Sequence, residues 1–415
     1  MRSTSGLAFR PQTARRCRFD KKLETQNSPR STATAMDAMD GSDITMSTTT
    51  FQEGHPTIPA GGVVGGRCPD ELLSRYGEIL DGGRLSWTEY HKLGRRLGSG
   101  GQGVVFLTTR RGTDGFTLPV ALKVFSPERY ESEAAYDEAM ERIAHVSAQV
   151  AQIQQDNLLD VQNFVEQRRI RMMEMEWIDG YDLSRLLTPE LLAQTRSCVS
   201  EERWEYLNRV IVTPGPRQSR LKPGVAIAII RECLAALAAL HRSGILHGDV
   251  KSSNIMVKRT GNAKIIDIGS AVQQTTMPAN RTCTPAYAAP EVLEGRDHSP
   301  RSDLASLGYV LIEMLSGQPP FAGLNSFRDL LEAKRSLAHR LPQILPGEVS
   351  CNELLMNFCS GLVAADPNKR FPSAEDADLM KEGAASFHRQ LIVGGLASEY
   401  ENEIRAWLKE LDGIA

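Results

Sequence analysis

His247-Gly248-Asp249-Val250-Lys251-Ser252-Ser253-Asn254 constrains this chain more than any other stretch, with Asp267-Ile268-Gly269 starting thirteen residues after Asn254. An Asp, a Lys and an Asn share one short loop. A strand-like run, Ala263-Lys264-Ile265-Ile266, then leads to a second Asp. The apolar run Val225 to Leu240, broken by Arg231 and Glu232, enters the loop and reads as a largely buried helix. This set of groups suits phosphoryl transfer. One carboxylate orients an attacking hydroxyl and accepts its proton, a cation neutralises the moving phosphoryl, and an amide oxygen with another carboxylate holds Mg²⁺. A polar surface loop could carry any one of these residues. The inference rests on the whole string at its spacing.

Further signatures lie upstream in order. Leu97-Gly98-Ser99-Gly100-Gly101-Gln102-Gly103-Val104-Val105 fits G-x-G-x-x-G-x-V between two β-like runs. Glycines there let a hairpin approach phosphates without Cβ clashes, and backbone N–H groups can face the anion. A plain hairpin is the other reading of that stretch alone. Val120-Ala121-Leu122-Lys123 reads as a strand ending on a lysine, twenty residues past Gly103. Downstream come Thr284-Pro285-Ala286-Tyr287-Ala288-Ala289-Pro290-Glu291, then Asp303 in Ser302-Asp303-Leu304, then Arg370 in Lys369-Arg370-Phe371.

In this order the motifs resemble the eukaryotic-type (Hanks-type) serine/threonine protein kinase family, over roughly Tyr90 to Met380. The resemblance implies an α+β, bilobal protein kinase fold. A small β-rich N-lobe with one main helix would sit on a larger, mostly helical C-lobe. It implies ATP and Mg²⁺. Asp249 would orient and deprotonate the acceptor, Lys251 would contact the γ-phosphate, and Lys123 would grip the α- and β-phosphates. Asn254 and Asp267 would hold the metal. Gly98, Ser99, Gly100, Gly101, Gln102 and Gly103 would cover the phosphates. Met175 to Gly180 resembles the hinge, with Met175 as gatekeeper and backbone groups of Glu176 and Ile178 on adenine. Val105, Ala121 and Met256 would sandwich the base, and Asp182 would reach the ribose. Ordinary core packing is the other reading of those apolar residues. Lys251 matches serine/threonine rather than tyrosine kinases, and Thr284 would bridge Asp249 and Lys251. Glu291 would pair with Arg370, and Asp303 would brace the catalytic loop.

Three departures from the family stand out. Gly248 occupies the position of an Arg that pairs with a phosphorylated activation loop, so this loop is expected to need no phosphate. Thr275, Thr276 and Thr282 are candidate phosphorylation sites, or simple loop residues. Ile268 replaces Phe. The helix glutamate expected to pair with Lys123 is ambiguous. The apolar stripe Ile143, Val146, Val150 and Ile153 leaves Glu138 about 100° from its centre and Glu141 about 160°. Glu138, fifteen residues after Lys123, is the better placed; two exposed surface charges are the alternative.

The 415 residues allow two or three domains. A net charge of −3 gives no general reason to bind nucleic acid or an anionic membrane, and the expected partners are proteins with Ser or Thr acceptors. Seven scattered cysteines without a CxxC suit a reducing, cytoplasmic setting. No apolar run approaches the length of a membrane span. Residues 1–86 lack apolar periodicity and are expected to be mostly disordered and dispensable, apart from a short helix from Asp70 to Leu80. Seven Arg and Lys among the first 22 residues slightly resemble a transit peptide, but a solvated basic tail or an over-long start is the preferred reading. Residues 87–178 are expected to form the N-lobe and 179–390 the C-lobe. Residues 391–415 carry a helical stripe of Tyr400, Ile404, Leu408 and Leu411, read as docking on the large lobe. The rival to an active enzyme is a catalytically weak, nucleotide-binding scaffold.

Overall fold

The computed structural model describes residues 58–60, 70–86, 90–112, 114–275, 281–324, 326–393 and 400–411. The small lobe is an antiparallel six-stranded sheet. Its spatial order is Arg84–Ser86, Tyr90–Gly100, Gly103–Arg111, Thr117–Phe125, Ile170–Glu176, Val161–Gln167. Thr117–Phe125 lies inside this order, and its residues from Val120 to Phe125 are all buried. Such a run of Val, Leu and Phe is what a strand covered on both faces requires.

The main small-lobe helix is Glu133–Val150, started by Ser132, whose hydroxyl accepts the Ala135 N–H. It turns Tyr136, Met140, Val146 and Val150 inward. The Tyr136 hydroxyl donates to the Phe125 carbonyl at 3.3 Å and accepts the Arg171 N–H at 2.9 Å, which locks the helix to two strands.

The small lobe begins earlier than residue 87. Asp70–Asp81 is a helix that buries Leu72 and Ile79, and Arg84–Ser86 pairs with Ser86↔Tyr90 and Arg84↔Lys92. Leu72 and Ile79 stand on one helical face, so two apolar side chains suffice to hold a short helix against the lobe. The short helix expected from Asp70 to Leu80 is thus attached to the lobe rather than lying free in the tail. Ile58–Ala60 also forms a strand, antiparallel to Arg281–Cys283. The rest of residues 1–69 lies outside the described residues.

The large lobe is built on two buried helices, Pro223–Arg242 and Pro300–Ser316, each opened by proline at a position where no N–H bond is lost. Every residue from Ser302 to Ser316 is buried. Pro223–Arg242 is the one described helix long and apolar enough to cross a membrane, and here it is core. The segment after the hinge folds as helices Pro189–Cys198 and Glu201–Val210 and a hairpin of Val212–Pro214 with Ser219–Leu221. Two short helices, Ala374–Leu379 and Ala384–Val393, follow. The C-terminal helix Tyr400–Glu410 packs on the large lobe. It buries Ile404, Trp407 and Leu408, and Arg203 donates to Glu410 at 2.6 Å.

Candidate active site

The two lobes enclose a cleft of about 1030 Å³, its open mouth included. Its roof is the glycine hairpin: Gly100 pairs with Gly103, and Gly101-Gln102 is the turn. Gly98, Ser99, Gly100, Gly101, Gln102, Gly103, Val105, Ala121 and Lys123 line the upper wall. Glu176 and Ile178 line the back, and Asp249, Lys251, Asn254, Met256 and Asp267 the floor. Leu159, Trp177, Ser253 and Ile266 also line it. Nothing local distinguishes Leu159 from core, while Trp177, Ser253 and Ile266 lie inside the hinge, loop and strand runs without an assigned role there.

The floor is a closed ring of hydrogen bonds. Thr284 Oγ1 donates to Asp249 Oδ1 at 2.6 Å, and Lys251 Nζ reaches Asp249 Oδ2 at 2.8 Å and Thr284 Oγ1 at 3.1 Å. Asn254 Nδ2 donates to the Asp249 carbonyl at 2.8 Å, which turns its amide oxygen to other use. The loop itself hangs on Asp303, whose carboxylate accepts the N–H groups of His247 at 2.9 Å and Gly248 at 3.0 Å. Burial opposes ionisation of Asp303, but hydrogen bonds from His241 and His298 outweigh it and hold the group well below the usual carboxylate range.

Asp267 adopts a left-handed backbone, φ 62°, and accepts the Gly269 N–H at 3.1 Å. Its Oδ1 lies 2.5 Å from Lys123 Nζ. Burial works to raise the Asp267 pKa, but the Lys123 charge and hydrogen bond prevail and hold it at about 2. It is therefore anionic at neutral pH, as a metal ligand must be.

Two expected site residues are not there. Glu138 faces solvent, its side chain 75% exposed and bonded to Arg142 at 2.6 Å. The inward face of its helix belongs to Tyr136 and Met140 instead. Asp182 does not line the cleft. It is buried as the N-cap of Leu183–Leu186, accepting the Arg185 N–H at 3.0 Å, and burial raises its pKa. The side chain of Glu176 is also committed elsewhere, to Lys264 and to the Asp160 N–H, which leaves its backbone for any adenine contact. Lys123 has a partner that the motifs did not announce: Gln102 Oε1, 2.6 Å away.

Residues 91–379 match the protein kinase domain family. The chain belongs to the protein kinase family. The kinase domain is 31% identical to serine/threonine-protein kinase PAK mbt of Drosophila melanogaster over 183 residues, 43% of this chain and 28% of that protein. It is 36% identical to serine/threonine-protein kinase PAK 1 of Mus musculus over 138 residues, 32% of this chain and 25% of that protein. It is 29% identical to serine/threonine-protein kinase PknD of Mycobacterium tuberculosis over 306 residues, 72% of this chain and 40% of that protein. The matched stretch thus spans less than half the length of each relative.

The donor set of this kinase domain fits a magnesium-bound nucleoside triphosphate. Two lysines supply cationic charge, an anionic carboxylate and a free amide oxygen supply hard ligands, and a Cβ added at Gly100 or Gly101 would meet nothing within 4 Å, so the roof is open to phosphate. Gly248 has φ +78°, and a Cβ there would lie 2.7 Å from the Ser270 carbonyl oxygen. The loop is therefore shaped for glycine at this position.

Proposed function

We propose that this protein is a serine/threonine protein kinase that transfers the γ-phosphoryl group of ATP to Ser and Thr hydroxyls of proteins. The observation that carries the reading is the ring of Asp249, Lys251, Thr284 and Asn254 at the mouth of a glycine-roofed cleft that also holds the Lys123–Asp267 pair. Asp249, braced through its loop by Asp303, aligns the acceptor hydroxyl and takes its proton. Lys251 balances charge on the transferring group, and Lys123 holds the inner phosphates. Asn254 and Asp267 would hold Mg²⁺, which supplies charge neutralisation on the phosphate oxygens. Unpaired cysteines at every described cysteine position, Cys198, Cys233, Cys283, Cys351 and Cys359, support a reducing, cytoplasmic setting.

The test is incubation with radiolabelled ATP, Mg²⁺ and a generic basic protein, followed by phosphoamino-acid analysis. We expect phosphoserine or phosphothreonine, lost in Asp249→Ala and in Asp267→Ala. Predominant phosphotyrosine would overturn the acceptor class. Binding of Mg-ATP without transfer to any acceptor would instead support the nucleotide-binding scaffold.

The kinase is proposed to need no activation-loop phosphate, because Gly248 offers no cation to one. Thr275, Thr276 and Thr282 changed together to Ala should keep initial rates within a few-fold of the parent, about 1 kcal/mol in barrier. A hundredfold loss, about 2.7 kcal/mol, would show that the loop needs its phosphate.

A further inference from the structure

Lys123 is held without any carboxylate from the small-lobe helix. Its Nζ meets Asp267 Oδ1 at 2.5 Å and Gln102 Oε1 at 2.6 Å. Glu138 lies on the far face of Glu133–Val150, and Glu141 is exposed. Bringing Glu138 inward, onto the face of Tyr136, Met140, Val146 and Val150, would need a helix rotation of about 140°. That would expose Tyr136, now fully buried, and break both hydrogen bonds of its hydroxyl. Burial of that ring and its bonds oppose such a motion.

Gln102 supplies what the helix does not. Its carbonyl oxygen accepts from Lys123, and its Nε2 donates to Ser270 Oγ at 2.9 Å. Both ends of the amide are therefore used, which fixes its orientation. Space for it is made by Gly269: a Cβ at that position would lie 2.2 Å from Gln102 Oε1 and 2.9 Å from Lys123 Nζ. The hairpin tip, the Lys123 strand and the turn after Asp267 meet at this one side chain.

We infer that Gln102 is the positioning residue for Lys123: it aims the ammonium at the inner phosphates and ties the closed glycine hairpin to the metal-binding turn through Ser270. The inference rests on the nucleotide-binding reading given above. Because the amide is neutral, Asp267 is the one carboxylate paired with Lys123 among the described residues. Lys123 placement follows hairpin closure rather than helix position.

A double-mutant cycle on Mg-ADP affinity, read by calorimetry on the full-length protein, tests this without requiring turnover. A hydrogen bond to a charged group corresponds to about tenfold or more in affinity. Gln102→Leu should weaken Mg-ADP by about tenfold beside Lys123, and by at least threefold less in a Lys123→Met background. Ser270→Ala should move the same way with smaller size, and Gln102→Glu should keep the Lys123 contact and recover part of the affinity lost in Gln102→Leu. Glu138→Gln should stay within twofold. A Gln102→Leu effect that is the same in both backgrounds to within threefold overturns the inference, as does a tenfold loss in Glu138→Gln. If Lys123→Met itself leaves Mg-ADP binding unchanged, the nucleotide site is misplaced and the proposed function falls instead.

Discussion

Gly248 shows how a single residue can be set by its neighbours' backbone. With φ +78° and the Ser270 carbonyl where a Cβ would go, any side chain is strained twice. Gly248→Arg should therefore lower stability by about 2 kcal/mol, since left-handed backbone alone costs about 1–2 kcal/mol for a residue with a Cβ. Urea unfolding of the variant against the parent measures it, and an unchanged midpoint would show that the loop relaxes freely. Cys283 makes a second residue-scale case. It adjoins Thr284, yet burial first, and the Asp249 charge second, push its thiol up to about 11. At pH 8 iodoacetamide should label the exposed Cys198 and Cys351 and spare Cys283, Cys233 and Cys359, as read by mass spectrometry of peptides. Rapid labelling of Cys283 would mean that the activation segment opens. Asp249, Lys251, Asn254 and Asp267 were legible in the sequence because a short loop and a strand carry them into the cleft in fixed order. Glu138 was misread because the apolar stripe was drawn from Ile143 onward. The helix's first two turns are phased by Tyr136 and Met140, which pack on the sheet. Asp182 was misread because local capping of Ser184 and Arg185 claimed its carboxylate.

Most elements were legible from period and punctuation. The buried helix read over Val225 to Leu240 is Pro223–Arg242, and the strand read as ending on Lys123 is Thr117–Phe125. The helix Asp70–Asp81 was seen, but its attachment was not: Leu72 and Ile79 look like stray apolar residues until the sheet that covers them is formed. Its burial changes what truncation should do. A protein beginning at Leu85 loses Leu72, 1% exposed, and Ile79, 5% exposed, from the core. Each buried aliphatic side chain is worth about 1.5–3 kcal/mol. Thermal denaturation should show a lower midpoint for the chain starting at Leu85 than for one starting at Asp70, which keeps the helix. Equal midpoints would show that the helix contributes nothing to the lobe.

At the scale of the molecule, Glu291 and Arg370 fasten the activation segment to the end of the large lobe. Arg370 donates to both carboxylate oxygens, at 2.6 and 2.8 Å, and both side chains are buried. Burial opposes the Glu291 charge, but the Arg370 guanidinium wins and holds its pKa below the ordinary value. The stabilisation is thus present above the ordinary glutamate pKa and lost as pH falls through the lower folded value. Arg370→Ala leaves a buried carboxylate uncompensated and should cost about 3–5 kcal/mol at pH 7, with the penalty shrinking toward pH 4 as Glu291 takes up a proton. Chemical unfolding at both pH values checks size and sign. A cost under about 1 kcal/mol at pH 7 would place the pair with ordinary surface bridges.

The sequence by itself determined the family, the bilobal fold and the polar groups of the catalytic loop, because these depend on residues within a few positions of one another and on their order. Only the tertiary structure decided what Lys123 touches, which face of Glu133–Val150 is buried, and where the N-terminal helix attaches. Each of those depends on surfaces brought together from far along the chain: Gln102 and Ser270 are 168 residues apart and meet through one amide. Periodicity describes a helix's own faces, whereas the choice of which face is buried belongs to the sheet that packs against it.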